Sequence, residues 1–147
     1  MPAMKSIILA AALFLGAHGL AQAAADPAQF TLTPALLAKL KAAEPDFKRI
    51  KPSKDDDDDG KDNLSVEEYA KKIDAVPGAK AVLAKHGLNS LELALASHAM
   101  LHAGMHLMFE PSMGKANAAK AYAGYTAVQK ANIELLRKHP DFMKPQR

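Results

Sequence analysis

Between Asn89 and Phe109 the chain reads NSLELALASHAMLHAGMHLMF, and apolar residues recur there so densely that every face of a helix over 90–109 would carry some. At 100° per residue Leu93, Met100, Gly104 and Leu107 fall on one side, with Leu91, Leu95, Met105 and Phe109 nearly opposite. A helix that is apolar almost all round is buried by its neighbours, so this segment is expected to be the centre of the fold. Asn89 caps it, Glu92 stands three residues on as the second half of a capping box, and Pro111 is expected to stop it soon after Phe109.

The same period recurs on either side. Leu36, Leu37 and Leu40 share a face of a helix opened by Thr33 and Pro34, and Phe47 and Ile50 extend that face past a break or kink at Pro45. Ser65 and Glu68 make a capping box ahead of Val66, Tyr69, Ala70 and Ile73, and Val76-Pro77 closes that helix. A short helix from Lys80 to His86 turns Val82 and Leu83 inward and stops at Gly87. Beyond a turn at 111–115, the stretch from Ala116 is rich in helix formers with small side chains, and Gly124 marks a break. Thr126 to Lys138 then presents Val128, Ile133, Leu135 and Leu136 before Pro140. Asp26 to Thr31 reads as a flexible leader, and Asp141 to Arg147 as a loose tail. No alternating, strand-like run is bounded by turn residues. The expected fold is all-α, an irregular single-domain bundle of four to five helices around the central helix 90–109.

The first residues change the picture of where this domain works. Lys5, the apolar run Ile7 to Leu15 and the small residues 21–25 form a secretory signal peptide over 1–23, with cleavage expected after Ala23 or Ala25. Residues 24–147 are then one helical domain, since about 120 residues suffice for a single core but not for two. The apolar run is shorter than the roughly 20 residues of a membrane span. The chain has no cysteine, which removes disulfides and lipid attachment at a cysteine. A soluble, unlipidated, periplasmic or secreted protein is expected.

A formal net charge of +3, with aromatic residues at 5% and no Trp, gives no basic, aromatic-studded surface for nucleic acid, and none is expected as a partner. The partner classes left open are a protein or a second copy of the chain, with any small-molecule ligand unidentified. The chain lacks Gly-x-Ser-x-Gly, a phosphate loop, a dinucleotide fingerprint and any carboxylate pair at a spacing that fixes a dyad, so no enzyme is inferred.

Chemistry concentrates on the central helix. His98, His102 and His106, spaced by four, form one slowly rotating stripe, and two imidazoles at i and i+4 can face one metal ion. His98 and His106 lie roughly 12 Å apart along the axis, so all three cannot share an ion. With Met105 beside the stripe, the imidazole and thioether set His98, His102, Met105 and His106 suits copper as Cu(I) better than zinc. The plainer alternative is that the histidines bond backbone carbonyls in the core or at an interface.

The acidic loop 51–63 offers a second candidate. Asp57 to Glu68 resembles the calcium loop of EF-hand proteins, with Asp57 at position 1, Asp59 at 3, Leu64 at 8, Ser65 at 9 and Glu68 at the bidentate position 12. Lys61 stands where a liganding Asp belongs and Asp62 replaces the turn glycine. Starting at Asp55 restores Asp59-Gly60 but puts Val66 at 12. The resemblance implies at most weak calcium binding through Asp57, Asp59 and Glu68, and a solvated charge run before a capped helix accounts for the same residues. The block from Ser65 to Gly104 also resembles a group of small exported bacterial proteins through Val76-Pro77-Gly78-Ala79-Lys80 and the helix start at Gly87-Leu88. That resemblance implies an exported helical domain and assigns no site. The expectation from the sequence is a non-catalytic binding or accessory protein, with a copper-type metal-handling protein as the alternative.

Overall fold

The computed structural model describes residues 25–51 and 64–143. The expected signal peptide and the acidic loop beyond Lys51, with Asp57 and Asp59, lie outside the described residues. Among the described residues six α-helices follow one another: α1 Pro34–Phe47, α2 Val66–Ala75, α3 Ala79–Lys85, α4 Ser90–Met113, α5 Lys115–Ala123 and α6 Ala127–Arg137, with 3-10 turns at Pro27–Gln29 and Pro140–Met143. Among the described residues there is no strand, and no helix is long and apolar enough to cross a membrane. The all-α bundle expected from the periodicity is present, and the small-residue stretch forms a helix of its own, α5. The longest helix, α4, lies against α2, α5 and α6 and against the Pro27–Gln29 turn, while α3 bridges α1 and α2.

The helix starts follow from capping chemistry. Thr33 Oγ1 accepts from Leu36 N at 3.1 Å, and Ser65 and Glu68 satisfy each other's backbone N–H groups at 3.2 and 2.8 Å. Asn89 Oδ1 accepts from Glu92 N at 2.8 Å, the half of the expected box that relieves an orphan donor of α4. A second full box joins Thr126 and Gln129 at α6. At the end of α3, Gly87 adopts φ 65°, and Leu88 N reaches back to Leu83 O at 2.9 Å, the left-handed stop expected there.

Both internal prolines behave differently from expectation. α1 runs through Pro45 to Phe47, and α4 runs through Pro111 to Met113. Each helix ends two residues beyond its proline, so the missing N–H costs one bond in a final turn where little helix remains to be disrupted. What stops α4 is Gly114, at φ 75° and ψ 153°, a region open in practice only to glycine.

The central helix also departs from its expected burial. Its fully buried residues are small: Ala94, Ala96, Ala99 and Ala103, together with Ser90 and His106. Leu93, Leu95, Met100 and Leu107 are half-buried against the core, whereas Leu91, Leu101, Met105, Met108 and Phe109 are exposed. Alanines let α2 and α6 approach the α4 backbone closely, and the large side chains on the remaining arc are left without neighbours. The volume of the core comes from other helices, through Leu37, Leu83, Ile133 and Leu136.

Neither the leader nor the start of the tail is loose. Asn132, 2% exposed on α6, accepts from Leu32 N and donates to Phe30 O, both at 2.8 Å, and Thr126 Oγ1 donates to Ala28 O at 3.0 Å. An amide side chain has one donor group and one acceptor, so it can substitute for a strand neighbour of an extended segment. At the other end Asp141 pairs with Lys41 at 2.7 Å, and Met143 packs over Gly104, where an added Cβ would meet its Sδ and Cε at 3.4 Å.

A carboxylate clasp ties the end of α1 to the end of α3. Asp46 accepts from Lys85 Nζ at 2.7 Å and from His86 Nε2 at 2.8 Å, and these bonds hold its carboxyl down to about 2. Hydrogen bonds also lower Glu67, Glu110 and Asp141. A carboxyl whose folded pKa lies below its unfolded one stabilises the fold above the unfolded value, and that contribution is lost as pH falls through the folded value. The melting temperature is therefore expected to fall steeply between about pH 4 and pH 2. Asp46→Asn should lower it at neutral pH and flatten part of that acid limb. An unchanged limb in the variant would show that the clasp contributes nothing.

Candidate functional site

The histidine stripe lies along the inner and lateral faces of α4, and the structure gives its three imidazoles different surroundings. His98 is engaged by backbone, its single ring N–H donating to one of two carbonyls. Its Nδ1 is 2.9 Å from Ala94 O one turn back, its Nε2 is 3.3 Å from Leu64 O, and the Tyr69 ring stands edge-on at 5.9 Å. Both nitrogens face carbonyl oxygens, so neither is turned toward an ion.

His102 is held loosely. Its Nε2 lies 3.5 Å from Gln129 Nε2, at the long limit of a hydrogen bond, and its ring meets Tyr125 edge-on at 4.7 Å. Burial, followed by the charge of His106, holds its pKa below the usual imidazole value. With His98, Gln129, Asp26, Pro27 and Ala28 it lines a cavity of about 230 Å³ beneath the leader turn.

His106 is the anomaly of the molecule. It is 4% exposed, and both of its ring nitrogens are buried with no hydrogen-bond partner among the protein's groups. Its neighbours are aromatic, with Tyr125 edge-on at 5.3 Å and Tyr122 tilted at 5.9 Å. Leaving a buried polar group unpaired costs on the order of 1–3 kcal/mol, so such groups are rare and each calls for a reason.

Met105 is 47% exposed and belongs to the open side of α4 with Leu101, Met108 and Phe109. The structure thus brings His102 and His106 together on one tyrosine, engages His98 elsewhere, and leaves Met105 facing solvent. Among the described residues no three His, Asp or Glu side chains are placed to hold one metal ion. Of the calcium candidates only Glu68 is described, and its carboxylate accepts from Ser65 N in the α2 cap.

Beyond Tyr122 opens a second, larger feature. A cleft of about 690 Å³ between the end of α4, α5 and α6 is lined by Glu110, Pro111, Lys115, Ala118, Tyr122 and Arg137, among others. Arg137 donates to both oxygens of Glu110, at 2.8 and 3.3 Å, and its Nε lies 3.4 Å from Glu134. Tyr122 Oη donates to Glu134 at 3.4 Å, and burial, then the Glu134 charge, pushes its pKa up. The guanidinium is shared between two carboxylates and the phenol is held protonated, so the cluster is a set of ion pairs that ties the end of α4 to α6. Sequence reasoning passed over it: Glu134 and Arg137 have i, i+3 spacing, but nothing local shows that Glu110 on a distant helix completes the pair.

Compared with known proteins, the chain matches no protein family, no curated protein and no solved structure, so the meaning of these sites rests on their own geometry.

Proposed function

We propose that this is an exported, non-catalytic binding or accessory protein that meets a protein partner through the open side of α4. The observation that carries this reading is the exposure of Leu101 and Met108, each 61%, together with Met105 and Phe109, on a helix with no charged residue between Glu92 and Glu110. Contiguous exposed apolar surface on a small domain marks an interaction site. Methionine suits such a surface because its unbranched, polarisable side chain adapts to different apolar shapes.

The test is photo-crosslinking in the producing cell from a photoreactive residue placed at Met105, with Lys71 on exposed α2 surface as the control. A defined product is expected from position 105 and none from position 71. Adding Leu101→Lys and Met108→Lys should abolish the product and leave the melting temperature nearly unchanged, since surface substitutions stay within about 0.5 kcal/mol. A product of twice the chain mass would identify the partner as a second copy. Crosslinking that survives both lysines would overturn the proposal.

A further inference from the structure

We infer that His102 and His106 form a two-imidazole site for a soft monovalent cation of the Cu(I) or Ag(I) type, approached through the cavity beneath the leader turn. The inference is independent of the open face of α4 and starts from the unpaired nitrogens of His106. Few ligands suit a buried imidazole with no donor or acceptor around it. A metal ion is one, because it takes the ring lone pair directly. Side chains at i and i+4 sit about 5–6 Å apart at Cβ, and here both rings rest against Tyr125. His102 is free to serve because its contact with Gln129 is long, whereas His98 is committed to two carbonyls.

The size of the donor set selects the ion. Zinc in a structural site requires four ligands and calcium six or more oxygens, and neither shell is available among the described residues around His106. A monovalent d10 ion is content with as few as two imidazole nitrogens, and its single charge is the least costly to bury. His102 lines the cavity of about 230 Å³, and the more deeply buried His106 stands one turn along α4, so an arriving ion meets His102 first.

The test uses the full chain and silver nitrate in chloride-free buffer. One Ag(I) per chain is expected to bind, with the side-chain 15N resonances of His102 and His106 shifting and those of His98, His86 and His139 unmoved. This readout needs no variant. His106→Leu and His102→Ala should each weaken binding by on the order of 100-fold or more, beyond what loss of a merely supporting residue costs, and His98→Gln and Met105→Leu should change it little. Binding that survives His106→Leu, that shifts His98 equally, or that depends on Met105 as strongly as on His106 would overturn the assignment. So would an absence of binding at micromolar Ag(I), or a tetrahedral Co(II) spectrum at the same residues.

Discussion

Asn132→Leu should unfold this protein at a temperature on the order of 10–20 °C lower than the parent. The substitution keeps the volume on α6 but strips the Leu32 N–H and the Phe30 carbonyl of their partner. Each unpaired buried group costs about 1–3 kcal/mol, so together they should cost roughly 2–5 kcal/mol. In a domain of this size each 1 kcal/mol moves the melting temperature by about 3–6 °C. Because Leu32 is 4% exposed and belongs to the core cluster, releasing its backbone also loosens part of that cluster. Thermal unfolding by circular dichroism measures the effect. A loss below about 1 kcal/mol would show that the extended segment is held by its side chains alone.

His106→Leu should act in the opposite direction. Replacing a buried, unpaired polar group by an apolar one of similar volume relieves its desolvation penalty, and a gain of about 1–2 kcal/mol is expected without added metal. The gain should widen below pH 6.5. His102 has a depressed pKa in the fold, so the folded chain holds fewer protons than the unfolded one and loses stability as pH falls from the unfolded value through the folded one. Removing the His106 charge takes away one cause of that depression. Denaturant titrations of parent and variant at pH 7.5 and pH 5.5 read both effects. A variant less stable than the parent at pH 7.5 would show that the imidazole nitrogens are satisfied in solution.

Much of the architecture was legible because capping and turn residues act locally. Thr33, Ser65 with Glu68, Asn89 and Gly87 do what their side chains or backbone freedom allow wherever they stand, and the helices begin or end there. Periodicity likewise placed Leu36, Leu37, Ile73, Leu83, Ile133 and Leu136 on inward faces. It failed on α4 for a reason specific to that helix. When every face is apolar, hydrophobicity no longer says which one is covered, and the choice falls to the side whose alanines permit close approach. Pro45 and Pro111 misled for an energetic reason, since a proline in a last turn forfeits less than one in mid-helix. Asn132 was invisible because a polar residue among inward positions looks the same in sequence whether it meets water or an extended backbone a hundred residues away.

The candidate site was legible only in part. The i, i+4 stripe included the two histidines that share Tyr125. Which of the three is occupied by carbonyls depends on Leu64 and on the path of the backbone, and no spacing rule contains that. The tyrosines that surround His106 stand in a segment whose alanines drew attention to helix propensity instead.

Gly114 joins two helices through a single residue, and α5 beyond it buries only Ala118 fully. This wall of the larger cleft therefore has little to lose on detaching, and its amides are expected to exchange faster than those of α4 and α6. Local unfolding of α5 between Gly114 and Gly124 would draw Tyr122 away from the imidazole of His106 while leaving the histidine on its own helix. Amide exchange in 115–123 would report that motion. The seclusion of the His106 imidazole on that side therefore depends on α5 staying docked.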